Sequence, residues 1–392
     1  MSIYTDAQEI IHSALEACLP DQAVRRALEG KELGSGRVFL VALGKAAWQM
    51  ARCAAELLGP RLEQGVVVTK HGHSQGDIPR CQVFEGGHPV PDEGSFRGTR
   101  AAMELVQDLA PQDTVVLLVS GGGSALFERP LIPAEELAQL TSALLACGAD
   151  IVEMNTVRKR LSAVKGGRFA QLCAPAQVYS IVLSDILGDP LDMIASGPAY
   201  PDRSTCAQAR ANAEKYQLPL SGQARALLDQ ETPKELDNVE TVITGSVREL
   251  CSAAAAVCQR LGYETHILTD QLCCQAREAG SFLASIARTH GQEGRSLAFL
   301  AGGETVVLLT GKGLGGRNQE LALSAAEGIS GMENALIFSL GSDGTDGPTD
   351  AAGGIVDGQT RGKLAQAGLT IHQVLADNDA YHALEKVGGL IH

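Results

Sequence analysis

An α/β fold, with a mostly parallel sheet in a large N-terminal domain and a smaller α/β C-terminal domain, is what this 392-residue sequence predicts. Continuous apolar runs such as TVVLLVS at 114–120 have the character of strands buried on both faces, and they alternate with helical stretches. Six of these runs stop abruptly in turns rich in glycine, serine or aspartate: RVFLVALGKAA, TVVLLVSGGGSA, YSIVLSDILGD, SLAFLAGGET, ETVVLLTGKGLGGRN and ALIFSLGSDGTDGPTDAAGG. The length also exceeds one ordinary domain. Strands that finish this way place backbone amides, carboxylates and single lysines at the carboxyl edge of a sheet, where open α/β folds bind phosphorylated ligands.

Taken in order, residues 5–30 read as helix, 37–43 as strand, 45–58 as helix, and 65–70 and 81–87 as strands. A helix follows over 99–109, then the buried strand at 114–120, helices around 133–147 and 156–173, and a strand at 178–186. This alternation implies right-handed crossovers. The stretch 200–238 turns polar, carries a proline and shows no strand, which places a domain boundary at 235/236 and gives domains 1–235 and 236–392. Beyond it come ETVITGS, a helix at 247–260, YETHILTD and a helix at 275–289. SLAFLAGG and TVVLLTG, separated by Glu304, then read as a strand-turn-strand unit, followed by a helix at 318–327 and the strand ALIFSL.

Composition narrows the function. A formal charge of −14 argues against nucleic acid, which needs a basic surface, but leaves room for small anions held by local cations. The ten cysteines contain no CxxC pair and suit a reduced intracellular set rather than a disulfide framework or zinc site. The first residues read as an amphipathic helix rather than a signal peptide, and no apolar run approaches a membrane span, so a cytoplasmic protein is expected. Homo-oligomerisation is left open.

The loops carry the chemistry. No GxxxxGK[ST] occurs, which excludes a P-loop by sequence. Ser120, Gly121, Gly122, Gly123 and Ser124 follow the buried strand, and consecutive glycines let amides approach an oxyanion without Cβ interference. The plain alternative is a strand-helix turn. Lys45 follows Gly44 at a strand end and opens a helix, where its ammonium adds to the positive field of the helix N-terminus. A literal GxGxxG at Gly311, Gly313 and Gly316 reads as a dinucleotide fingerprint, a flexible turn or, given Lys312 and Arg317, a phosphate loop using Gly313, Gly315 and Gly316. Asp185 and Asp189 in SDILGD, and Asp343, Asp346 and Asp350 further on, are carboxylates of the kind that hold Mg²⁺ beside phosphates. Asp185 as a turn cap is equally open, and the 343–350 loop lacks the terminal Glu of an EF-hand. In NTVRKRLSAVKGGR, Arg158, Ser162 and Lys165 fall at helical spacing, giving one cationic face that is either solvated or, with Asn155, a substrate site. His88 reads as a base or as a structural histidine.

The motifs LGKAA, KHGH, EGGHPVPD, SGGGSAL, MNTVRKRLSAVKGGR, SDILGDPLDMIASGP, AGGET, GKGLGGRNQE and GSDGTDGPTDAAGG resemble, in the same order and over most of the chain, those of class II glycerate kinases, the glycerate 2-kinases with a MOFRL C-terminal domain. The resemblance implies a Rossmann-like N-terminal domain, a MOFRL-type C-terminal domain and an active site in the cleft between them. It implies transfer of the ATP γ-phosphoryl group to D-glycerate, giving 2-phosphoglycerate, with Mg²⁺ or a similar cation. It also implies catalytic roles for Lys45 and Arg317. A histidine is often found in relatives where this chain has Arg160, and relatives are expected to run on past His392 through a TGPT…NVND segment.

The mechanism expected on this footing has the glycines at 121–123 and 313–316 hold phosphates. Asp185, Asp343 and Asp346 bind the cation, and Lys45 and Arg317 neutralise the transferred phosphoryl group. Asp189 orients or deprotonates the 2-hydroxyl, and Asn155, Arg158 and Lys165 contact the substrate. The rival readings are an NAD(P)H-dependent hydroxypyruvate reductase, supported only by the GxGxxG, and a non-catalytic metabolite-binding protein.

Overall fold

In β1 (Val38–Leu43) every residue is buried, because alternate side chains serve two different cores. Phe39, Val41 and Leu43 point to one face and Val38, Leu40 and Ala42 to the other. The same split holds in β4 (Thr114–Val119), as a continuous apolar strand requires. Each large aliphatic side chain so buried contributes about 1.5–3 kcal/mol. The computed structural model describes residues 2–184 and 190–392.

Together with β2 (Leu62–Lys70), β3 (Cys81–Gly86), β5 (Gln177–Leu183) and β6 (Val239–Thr244), these strands form a six-stranded, all-parallel sheet in the order β3-β2-β1-β4-β5-β6. Helices Pro20–Leu28 and Ala47–Leu58 cover one face through Val24, Trp48, Met50 and Leu58. Helices Glu93–Leu105 and Arg168–Cys173 cover the other through Ala102, Phe169 and Ala170. A separate helical layer of Ala134–Ala146, Ile151–Arg158, Cys206–Lys215 and Gly222–Leu228 packs around Leu140, Leu144 and Val157.

The chain divides into two compact units, Leu19–Ser246 and a second made of Met1–Cys18 with Val247–His392. This displaces the expected boundary at 235/236, since β6 completes the N-terminal sheet. The expected helix at 5–30 is two helices, Ile3–Ala17 and Pro20–Leu28, with Pro20 opening the second, a position where its missing N–H costs nothing. The first belongs with the C-terminal unit, where Ile10 packs on Val257 and Cys258 of helix Val247–Arg260. That unit also holds a parallel pair, β7 (Glu264–Leu272) and β8 (Leu297–Gly303), and an antiparallel trio of β9 (Leu336–Leu340), β10 (Gly353–Asp357) and β11 (Leu390–Ile391). Helices Ala276–His290 and Arg317–Gly328 pack against each other there.

Two expected elements do not form. The helix at 156–173 ends at Arg158, continues as a short 3₁₀ turn over Lys159–Leu161, and gives way to an extended Ser162. Arg168 Nη1 donates to the carbonyls of Lys159, Arg160 and Ser162, at 3.0, 3.2 and 2.6 Å, and so caps that break. The TVVLLTG run is no strand either. Val306 makes one isolated parallel bridge to Gln275, and the backbone from Leu308 on is claimed by Asn378, whose Oδ1 accepts from the Thr310 and Gly311 amides and whose Nδ2 donates to Leu308 O. Among the described residues no helix is long and apolar enough to cross a membrane.

Candidate active site

The strand order reverses direction between β1 and β4, and in open parallel sheets the crevice beyond such a switch point is where ligands bind. Lys45 leaves β1 there and the SGGGS turn leaves β4. The two turns are stitched together. Ser120 Oγ accepts from the Ala46 amide (3.1 Å) and donates to Leu43 O (3.3 Å), while the Lys45 amide donates to Gly121 O (2.8 Å). Gly44 has φ +115°, and a Cβ there would lie 2.2 Å from Ser120 Oγ, so only glycine fits. The Gly44 and Ser120 amides are themselves committed, to Val68 O and Leu43 O. These two residues support the turn and are not the phosphate ligands expected of them.

The next four amides differ. Those of Gly121, Gly122, Gly123 and Ser124 donate to no partner among the described residues. Gly122 is left-handed, φ +84°, which curls successive N–H groups into a concave anion-binding turn. A Cβ on Gly122 would lie 3.1 Å from Lys45 Cγ and 3.0 Å from His88 Cδ2, so the lysine stem runs along the glycine turn. Lys45 is exposed, and its ammonium has no partner among the described residues. Arg158 reaches the same turn weakly, its Nη2 3.4 Å from Ser124 O, while its buried Nε has no acceptor among the described residues.

Asn155 and Lys165, expected to contact substrate, are buried and occupied. Ser196, which the sequence reading did not single out, joins Ser124 to Asn155: Ser196 Oγ donates to Asn155 Oδ1 (3.0 Å) and lies 2.8 Å from Ser124 Oγ. Because Ser196 has a single hydroxyl proton, Ser124 is the donor in the second contact. Ala195 and Ser196 hold φ values of 51° and 60°, a conformation non-glycine residues adopt at local strain and often near functional sites. Lys165 is completely buried; its Nζ donates to Glu128 Oε2 (2.7 Å) and to Phe127 O (3.1 Å). Burial pushes its ammonium down to about 8, against the pull of Glu128 and helped by nearby Arg158. Lys159 and Arg160 are likewise buried against Asp202, so of the cations in this segment Lys159, Arg160 and Lys165 form interior ion pairs, while Arg158 alone of the expected face reaches the glycine turn.

In the C-terminal unit, Arg317 opens helix Arg317–Gly328 and its Nη1 donates to Glu304 Oε1 (2.7 Å); both side chains are about half exposed. Asp346 is buried, with Oδ1 accepting from the Asn318 amide (3.1 Å) and Nδ2 (3.0 Å) and Oδ2 from the Gln319 amide (2.9 Å). It therefore caps the helix in place of Gly316, which has no side chain, and is not the metal ligand expected. Asp343 is exposed and accepts from the Thr345 amide. Among the described residues no group of three or more His, Cys, Asp or Glu side chains is placed to hold a metal; Asp185 and Asp189 lie outside the described residues.

The GKGLGG loop is anchored from a segment the sequence reading passed over. Lys312 N donates to Asp377 Oδ1, Gly313 N to Asp377 O and Leu314 N to Asp379 Oδ1. A Cβ at Gly311 would sit 2.3 Å from the Asp377 backbone, and one at Gly313 2.4 Å from Asp379 Cβ. These two glycines answer to close backbone packing, which removes Gly313 from the phosphate ligands and undercuts the dinucleotide reading. The Gly315 and Gly316 amides have no partner among the described residues.

Residues 6–229 match the model of a domain of unknown function (DUF4147), and residues 297–392 match the MOFRL family. The chain is 52% identical to a D-glycerate 2-kinase of Thermotoga maritima, over 98% of this chain and 93% of that one. A putative hydroxypyruvate reductase of Agrobacterium vitis is 37% identical over 98% of this chain and 90% of its own length. A crystal structure of glycerate kinase from Thermotoga maritima superposes with a TM-score of 0.95 at 51% identity, covering 99% of this chain and 94% of that one. With matches of this length and identity at both ends of the sequence, the chain belongs to the glycerate 2-kinase family whose C-terminal part is a MOFRL domain.

Proposed function

We propose that this protein transfers the γ-phosphoryl group of ATP to the 2-hydroxyl of D-glycerate, giving 2-phosphoglycerate and ADP. One observation carries the reading: the stem of exposed Lys45 runs along the 121–124 turn at the switch point of a parallel sheet, and neither its ammonium nor the four amides of that turn has a partner among the described residues. Phosphoryl transfer is mostly positioning and charge stabilisation, and this arrangement supplies both. The amides of Gly121 to Ser124 cradle phosphate oxygens, Lys45 stabilises charge developing on the transferred group, and Arg158 adds a second cation to the turn. Arg317 is assigned the corresponding role in the C-terminal unit, with the Gly315 and Gly316 amides beside it.

A divalent cation carried in on ATP phosphates belongs to this reading, since such ions are held by one or two carboxylates plus the phosphates. Asp346 does not fit the role, its oxygens being committed to the helix; Asp185 and Asp343 remain the assigned carboxylates. The reductase reading rested on a GxGxxG loop that follows no strand and whose amides are largely committed.

Purified protein with D-glycerate, ATP and Mg²⁺, followed for ADP, tests the proposal beside hydroxypyruvate with NADH. ADP formation with 2-phosphoglycerate as product by phosphorus NMR is the expected result; NADH oxidation, or neither reaction, overturns it. Lys45→Ala is expected to lower kcat by ~10²-fold or more. A Lys45→Ala protein with unchanged kcat would remove Lys45 from the mechanism.

A further inference from the structure

Beside Lys45 opens a cavity of ≈ 260 Å³, lined by Lys45, Trp48, Gln49, His73 and Gln75. It opens to solvent and is large enough for a small hydroxy acid. The loop that brings His73 to this cavity is fixed on every side. Glu85 Oε1 accepts from the amides on either side of it, Gly72 (3.1 Å) and Ser74 (3.0 Å). The His73 amide donates to Lys70 O (3.0 Å), the His71 amide to Gly86 O (3.1 Å), and the Trp48 indole to Gly76 O (2.8 Å). His71 is held in turn, its Nε2 2.6 Å from Asp92 Oδ2.

Within this frame His73 Nδ1 lies 3.1 Å from Lys45 O. A carbonyl oxygen only accepts, so Nδ1 carries the hydrogen, and in the neutral tautomer this fixes, the lone pair is on Nε2. The same carbonyl takes Thr69 Oγ1 (3.2 Å), which fixes the acceptor as firmly as the donor. Nε2 has no partner among the described residues. The residue whose side-chain stem runs along the glycine turn thus also sets, through its carbonyl, the tautomer of the histidine in the adjoining cavity.

We infer that His73 is the catalytic base for the acceptor hydroxyl of a small hydroxy acid bound beside Lys45, an assignment that rests on the kinase reading above. The hydroxyl oxygen forms its bond to the γ-phosphorus as the bond to the β,γ-bridging oxygen breaks, and that oxygen leaves with the electron pair on ADP. The hydroxyl proton passes to Nε2 and from the exposed ring to solvent. Asp189, the base expected from the sequence, is the competitor.

The test measures steady-state kinetics of His73→Ala and His73→Gln with D-glycerate and ATP, with and without added imidazole. General-base catalysis is typically worth 10²–10⁴-fold, so His73→Ala should lose ~10²-fold or more in kcat with both KM values unchanged, and imidazole should restore part of the loss. His73→Gln keeps a side-chain donor for Lys45 O without a base, so it should be as slow and refractory to imidazole; it also decides the matter if His73→Ala does not fold. Wild-type kcat in His73→Gln overturns the assignment. So does a loss in His73→Ala that imidazole leaves untouched, since that marks a loop-positioning role. Absence of D-glycerate-dependent ADP formation by the wild-type protein would sink the kinase reading itself, and this inference with it.

Discussion

Lys165 illustrates how far a residue's role follows from its neighbours in sequence. Its spacing from Arg158 and Ser162 suits a helical cationic face, but the decisive partner, Glu128, lies in another segment, and spacing holds no record of that contact. The setting of Lys45 is legible because it is local: a glycine before it, a strand end and a helix start. Asn155 is expected from the sequence to contact substrate, yet it is bonded to Ser196, whose left-handed backbone leaves no sequence signal in a serine. Removing one partner of a buried pair strands the other charge, so Lys165→Met is expected to destabilise by about 3–5 kcal/mol, and Glu128→Leu with Lys165→Met far less. Denaturant melts of the two variants decide it; equal losses would mean the pair is not what stabilises this site. The pH dependence has a definite sign. Because Lys165 sits at about 8 in the fold against an ordinary 10.5, the unfolded chain binds its proton more tightly between those values. Its contribution to stability therefore rises as pH climbs through that window, and the double variant should lack this rise.

At the scale of elements, the strands of the N-terminal sheet were readable because both faces are buried, leaving uninterrupted apolar runs. The same signal misled at TVVLLTG, where Val306, Leu308 and Leu309 stay exposed, Val306 makes one isolated parallel bridge to Gln275, and from Leu308 on Asn378 satisfies the backbone in place of a neighbouring strand. An apolar run states what can be buried, and a distant polar side chain decided whether a ladder formed. Helix Arg317–Gly328 carries the parallel lesson for carboxylates. Gly316 cannot cap it, so Asp346 does from across the fold, and an aspartate in a glycine-rich loop looks the same in sequence whether it holds a cation or a helix. Asp346→Ala should cost about 0.5–2 kcal/mol of stability, typical of a lost cap, with the Mg²⁺ concentration for half-maximal activity unchanged. A raised Mg²⁺ requirement with an unaltered melt would return Asp346 to the metal site.

For the molecule as a whole, the α/β class and the existence of two units were legible, while the dividing line was not. The stretch 200–238 looked like a linker because it lacks strand pattern, yet it leads into β6, and Leu236 packs against the N-terminal core. The first helix looked like part of the domain it precedes, yet Tyr4 donates to Asp357, Glu9 pairs with Arg260 and Tyr263 donates to Asp6. Contacts between distant segments set this division, and sequence order conceals them. It has a physical consequence for fragments. Residues 19–246 retain all six parallel strands and both faces of the core, so this fragment should be monomeric and melt cooperatively. Residues 1–235 lack β6, which leaves the backbone edge of β5 unpaired and the apolar stripe of Ala7, Ile10 and Ala14 without its partner helix. An open hydrophobic edge of that kind recruits other chains, so the longer N-terminal fragment should associate and lose its cooperative transition. Size-exclusion chromatography with thermal melts of the two fragments separates these outcomes: a monomeric, cooperatively folding 1–235 beside an aggregating 19–246 would place the boundary back at 235/236.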